Sequence, residues 1–132
     1  MAVKSTGTTL FIYGTLKRGQ TNHHLLAEQC YLGEVATARR FRLLSLGWYP
    51  GLAEARTDRV GLSIEGEAWE VTRKCLEILD HYEGSEYRRC RIELMPSDVV
   101  HVSMPIQAYL LREPDWSLPD VGARWNPSPT GS

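Results

Sequence analysis

Residues 9–19 read TLFIYGTLKRG: a β-rich apolar run, Thr9 to Tyr13, that breaks at Gly14 into a short polar loop closed by Gly19. A strand that feeds directly into a glycine-punctuated loop suits anion binding, because glycine exposes backbone N–H groups. Gly14 and Gly19 have the G-x-x-x-x-G spacing of a phosphate loop, but that loop needs Lys and then Ser or Thr after its second glycine. Here Gln20 and Thr21 follow. The nucleotide reading fails at its most informative position. The loop is left for another anionic or carbonyl group.

The rest of the chain narrows the choice. With 132 residues, 42% of them hydrophobic, it suffices for one domain with a real core, and we read residues 1–132 as that domain. A net charge of -1 gives no field to gather nucleic acid or an anionic membrane, so neither is expected as a partner. No apolar run approaches a membrane span and the N-terminus lacks a signal-peptide layout, which predicts a cytoplasmic protein. Cys30, Cys75 and Cys90 form no C-x-x-C pair. Buried, reduced thiols are expected, with neither a disulfide framework nor a zinc site.

Strand-like stretches recur at TLFIY, YLGEVATARRFRLLSL (long enough for two strands), GLSIEGEAWEV, YRRCRIELM and MPIQAYLL. Gly47, Pro50-Gly51 and Gly61 read as turns, and Pro96 and Pro105 bracket a connection. Two helices are predicted, over 22–30 and 72–82. The second has Thr72 as N-cap, a stripe of Cys75, Ile78, Leu79 and Tyr82, and Gly84 to end it in the left-handed conformation. The fold class so predicted is α+β, a small mixed β-barrel with short inserted helices. The core spans about 8–111. Residues 112–132, rich in proline, read as a tail that packs through Trp116 and Trp125 and ends loosely.

Glu83, at the end of the second helix, is a candidate proton carrier. The negative end of the helix dipole and burial behind Tyr82 and Tyr87 both raise a carboxyl pKa, while Arg88 and Arg89 would oppose the rise.

The ordered series YGTLKRG with Asn22, Tyr49-Pro50-Gly51-Leu52, Gly66 to Val71, Leu79-Asp80-x-x-Glu83-Gly84 and Tyr87-x-Arg89 resembles the gamma-glutamylcyclotransferase-like family over about residues 8–111. Within that family the longer run YGTLKRGQ-T-N-H, and a close such as Arg124-Trp125-Asn126-Pro127, are most similar to the gamma-glutamylamine cyclotransferase subgroup. The resemblance implies a barrel with a cavity at one end. It implies Glu83 as the catalytic proton shuttle and Tyr13, Gly14, Thr15 and Leu16 as the grip on the glutamyl group. Asn22 is either an N-cap or a support for that loop, and Tyr87 and Arg89 are candidates to line the cavity.

The reaction so implied is intramolecular. The α-amine of a γ-glutamyl amine or peptide attacks its own γ-carbonyl, releasing an amine and 5-oxoproline, with no metal or other cofactor required. Loop N–H groups would hold the α-carboxylate or the carbonyl oxygen, and proximity supplies much of the rate. A small-molecule γ-glutamyl substrate is the expected partner. An amine leaving group wants a neutral or apolar channel, whereas a dipeptide wants a cation from among Lys17, Arg18, Arg56, Arg88 and Arg89.

Other constellations are weaker. His23 and His24 are adjacent and so point to different sides of a helix, with no second pair to complete a metal site. Glu65 and Glu67 share a strand face that is expected to be solvated, with Glu70 on the other. Trp69 and Val71 are expected in the core. Two further function classes stand beside the cyclotransferase: a non-catalytic relative that binds a metabolite or protein, and a tailoring enzyme that removes a γ-glutamyl group.

Overall fold

The computed structural model describes residues 7–98 and 105–125. Among these residues seven strands form one mixed sheet: β1 (Thr8–Ile12), β2 (Cys30–Ala36), β3 (Phe41–Ser45), β4 (Pro50–Glu54), β5 (Glu65–Val71), β6 (Tyr87–Ile92) and β7 (Ile106–Leu111). One α-helix, α1 (Arg73–Glu83), joins β5 to β6. The strand order is β2-β5-β1-β7-β4-β3, with β6 also on β7.

Period-2 alternation builds two cores, one on each sheet face. Along β7, Ile106, Ala108 and Leu110 join Phe11, Tyr13, Leu52 and Trp125 in the first core. Tyr109 and Leu111 of the same strand join Leu10, Ile12, Leu16 and the α1 residues Cys75 and Leu79 in the second. β1 is central and serves both, which is why it reads as an unbroken apolar run.

The α+β class is as predicted, but the sheet is not a closed barrel. β2 and β3 stand at opposite ends of the strand order and share no ladder among the described residues. The sheet forks instead. β6 pairs with β7 along its whole length, from Tyr87↔Leu111 to Ile92↔Ile106. That leaves one β7 edge for two parallel neighbours, β1 through Leu10↔Gln107 and β4 through Leu52↔Leu110. The side chain of Tyr13, just past β1, closes the gap between them: its hydroxyl donates to Tyr109 O at 2.6 Å and accepts from Leu52 N at 3.1 Å. Its buried hydroxyl thereby serves backbone groups that the fork would orphan.

α1 has the predicted ends. Thr72 accepts a hydrogen bond from Cys75 N, and Gly84, at φ 68°, donates back to Asp80 O. Of the predicted stripe, Cys75 and Leu79 are buried, while Ile78 and Tyr82 remain exposed. The other predicted helix shrinks to one 3-10 turn, His23–Leu26, after which Glu28 takes φ 68° and β2 begins at Cys30. Pro50-Gly51, predicted as a turn, opens strand β4. Proline is tolerated there because the first strand position need not donate to a ladder.

Residues 112–125 are tied into the fold. Val121 N donates to Leu43 O, Glu65 N donates to Ala123 O, and Trp125 is buried. Trp116 lies under the guanidinium groups of Arg56 and Arg59. Met104, placed in the last predicted strand, and the closing stretch from Asn126 lie outside the described residues. Cys75 is buried, but Cys30 is exposed, contrary to expectation, because it sits at the start of the terminal strand β2. Among the described residues no helix is long and apolar enough to cross a membrane.

Candidate active site

The turn after β1 is fixed through its carbonyl groups. Gly14 O accepts from Lys17 N at 3.0 Å, Thr15 O from Asn22 N at 2.9 Å, and Leu16 O bonds to His23 Nδ1 at 3.0 Å. A carbonyl can only accept, so His23 carries its proton on Nδ1. In a trans peptide unit the N–H points opposite to the preceding carbonyl. With Gly14 O and Thr15 O held inside the turn, the N–H groups of Thr15 and Leu16 therefore point the other way. Neither donates to a protein group among the described residues. Asn22 supports this arrangement: its Nδ2 donates to Thr15 Oγ1 at 3.1 Å, and its side chain makes no cap bond. Of the two readings of Asn22, loop support is the one realised.

Gly14 is needed for a close approach. A Cβ there would lie 2.8 Å from Pro50 Cγ, so any side chain would push the loop away from β4.

Tyr13 to Leu16 line one side of a cavity of about 270 Å³. The end of α1 supplies Tyr82 and Glu83, the turn that follows supplies Glu86 and then Tyr87, and β7 supplies Tyr109. Trp48, Tyr49 and Pro50 complete the wall. Glu83, half-buried, is the last residue of α1. Its carboxyl pKa is pushed up to about 7, first by burial and then by the nearby charge of Glu86. Nothing opposes the rise, because Arg89 is held elsewhere: its Nε and Nη2 clasp Asp80 at 2.9 and 3.0 Å.

Burial also raises the pKa of Tyr13, Tyr87 and Tyr109. Their protons are already committed, Tyr13 to Tyr109 O, Tyr87 to Pro50 O at 2.6 Å, and Tyr109 to Asp80 Oδ1 at 2.7 Å. Glu83 is thus the cavity group poised to exchange a proton near neutral pH.

The cavity brings together Tyr13, Gly14, Thr15, Leu16, Glu83 and Tyr87. Asn22 stands behind it, and Arg89 is not in its lining. Two of the candidate cations lie outside the cavity lining. Lys17 and Arg18 turn to a second concavity, of about 450 Å³, on the far side. There Lys17 Nζ donates to Trp125 O, and Arg18 donates through N and Nε to Glu67 at 3.1 and 3.3 Å. Glu67, expected on a solvated face, is buried and also accepts from Trp69 Nε1 at 3.0 Å. The indole of Trp69, as expected, lies in the core. Tyr49, Glu86 and Tyr109 are cavity residues that sequence reasoning missed. Only Tyr49 had a signal, its place beside Pro50-Gly51.

Residues 10–126 match the family described as gamma-glutamyl cyclotransferase, AIG2-like. A Vibrio cholerae protein provisionally named a gamma-glutamylcyclotransferase is 40% identical over 86 residues, 64% of this chain and 70% of that protein. A rat protein named gamma-glutamylaminecyclotransferase is 33% identical over 92 residues, 64% of this chain and 62% of its own length. The crystal structure of a mouse AIG2-like protein superposes with a TM-score of 0.71 at 28% identity, covering 92% of this chain and 96% of the other.

Proposed function

Because the chain belongs to the gamma-glutamyl cyclotransferase, AIG2-like family, we propose that it converts γ-glutamyl amines to 5-oxoproline and free amine, with Glu83 as the proton shuttle. The observation that carries this reading is a carboxyl group with a pKa of about 7 in a cavity that is also lined by Thr15 and Leu16, whose N–H groups have no protein acceptor among the described residues.

In this mechanism the Glu83 carboxylate takes a proton from the substrate's α-ammonium. The freed amine attacks the γ-carbonyl carbon, forming the ring C–N bond and an oxyanion. Glu83 returns its proton to the departing nitrogen and takes the second proton from the ring nitrogen. The old C–N bond then breaks, and that second proton leaves with the amine as ammonium. The N–H groups of Thr15 and Leu16 stabilise a carboxylate or an oxyanion at fixed positions, an arrangement that costs no reorganisation during reaction. Tyr13 acts by holding the fork behind the loop, and Asn22 by holding Thr15.

The lining supports the amine over the dipeptide. None of the five cations considered for a second carboxylate (Lys17, Arg18, Arg56, Arg88, Arg89) lines the cavity. Release of 5-oxoproline from γ-glutamyl-ε-lysine and from γ-glutamyl-alanine tests both levels. Preference for the lysine compound is expected. Preference for γ-glutamyl-alanine would overturn the amine assignment, and no release from either would overturn the cyclotransferase.

A further inference from the structure

The outer part of the cavity has a charge pattern that the proton shuttle does not explain. Among the described residues no Lys, Arg or His lines it, while two carboxylates do. Glu83 is half-buried and assigned to the chemistry. Glu86 is exposed, its oxygens accept from the Tyr49 hydroxyl at 3.0 and 3.3 Å, and none of the described ion pairs includes it. Beside it stand two aromatic rings that the fold has left in water. Trp48 is 70% exposed and meets Tyr49 edge-on with ring centroids 4.8 Å apart, and Tyr82 is 42% exposed.

An exposed indole, an exposed phenol ring and an unpaired carboxylate around one opening are complementary to a single kind of group. Aromatic faces attract a cation through their quadrupole, and the carboxylate attracts it by charge. An anion there would face Glu86 with no cation in the cavity lining to offset the repulsion.

We infer that Glu86, Trp48 and Tyr82 form a leaving-group subsite for an amine whose far end carries a second positive charge, as in a diamine. The inference rests on the cyclotransferase reading and adds to it the substrate's distal end. Glu83 and the loop handle the glutamyl end inside the cavity, and the three mouth residues take the far ammonium.

Three γ-glutamyl compounds of matched chain length test it: mono-γ-glutamyl butanediamine, γ-glutamyl pentylamine and γ-glutamyl aminobutyrate, whose far ends are cationic, neutral and anionic. The cationic compound should exceed the neutral one in kcat/KM by about tenfold, the combined worth of an exposed ion pair and a cation–π contact, and the anionic one should be poorest. Glu86→Gln should cut the cationic-to-neutral ratio to the few-fold that the aromatic rings alone supply. That ratio cancels any effect of Glu86 on Glu83, since both substrates use the same shuttle. Equal rates for the cationic and neutral compounds in the unaltered protein, or a ratio unchanged by Glu86→Gln, would overturn the subsite. If none of the three releases 5-oxoproline, the catalytic reading fails by itself, and calorimetric binding of the same compounds then decides the subsite. Cation-selective binding that weakens in Glu86→Gln supports it, and unselective or absent binding overturns it.

Discussion

The loop after β1 separates two concavities that use charge in opposite ways. On the far side, most of the charges have partners: Arg18 pairs with Glu67, Arg124 with Glu65, and Lys17 bonds to Trp125 O. On the cavity side, Glu83 and Glu86 face open space with no cation among the described ion pairs. The loop lends Tyr13 to Leu16 to one side and the cations Lys17 and Arg18 to the other. The contrast teaches that paired charge anchors the loop, while unpaired charge, held at a cost in stability, is left free for chemistry.

The sharpest way to break that contrast is to remove the unpaired carboxylate at the centre. Glu83→Gln keeps size and hydrogen bonding but loses the basic form, so kcat should fall by about 10² to 10⁴, the usual worth of a general acid–base group. Substrate binding, measured by calorimetry, should survive. In the unaltered protein kcat/KM should fall tenfold per pH unit below about 7, following the raised pKa of Glu83. A profile flat between pH 5 and 7 would remove Glu83 from the role.

The same substitution should increase stability. Because its folded-state pKa is raised from 4.5 to about 7, Glu83 binds its proton more tightly in the folded chain, and ionising it there is unfavourable. The penalty is absent below about pH 4.5, grows as the pH rises, and is complete above about 7. A shift of that size corresponds to about 3 kcal/mol. Urea unfolding at pH 8 should therefore find Glu83→Gln more stable by up to about 3 kcal/mol, with the gap closing by pH 4.5.

The anchoring side should respond in the reverse sense. Glu67→Gln weakens charge-assisted bonds from Arg18 N and Nε and a third bond from Trp69 Nε1. A loss of about 2 kcal/mol is expected, a mid-range value for hydrogen bonds to a buried charge. The pH midpoint of kcat/KM should not move. A shifted midpoint would mean that the two sides of the loop are electrostatically coupled, which would weaken the contrast.

How much of this was legible in the sequence depended on whether the deciding contact was local. Helix α1 was legible because its cap, its Cys75–Leu79 spacing and Gly84 all act within a few residues. β1 and its loop were legible because burial on both faces leaves a continuous apolar run. β4 was not. Its Pro50-Gly51 is turn chemistry by local rules, and Gly51 occupies a strand because the Leu111 side chain from β7 packs where its Cβ would be. The predicted helix over 22–30 failed because Asn22 gives its side chain to Thr15 and not to a cap, a contact set by the loop's return path. In the site, the rise in the Glu83 pKa was legible in direction. Glu86 was missed as one of its causes, and Arg89 was misassigned, since only the return of β6 along α1 delivers it to Asp80.

That last contact yields the smallest of the expected effects. Asp80 lies one turn before Glu83 on α1, yet its pKa moves the other way, lowered chiefly by the hydrogen bonds from Arg89 and further by Tyr109. Its stabilising contribution is thus present above the ordinary aspartate pKa and is lost as the pH falls through the lowered value, in the acid range below about 4. The side chains are 41% and 28% exposed, so solvent screens the pair and Asp80→Asn should cost only about 1 kcal/mol near neutral pH. The cost should shrink at pH 3, opposite to the pH trend at Glu83. Because Asp80 holds the cavity residue Tyr109 but does not itself line the cavity, kcat should drop less than about tenfold with an unmoved pH midpoint. A fall as deep as that of Glu83→Gln would instead place Asp80 in the proton path, and the shuttle would then be a pair of carboxyl groups on one helix turn.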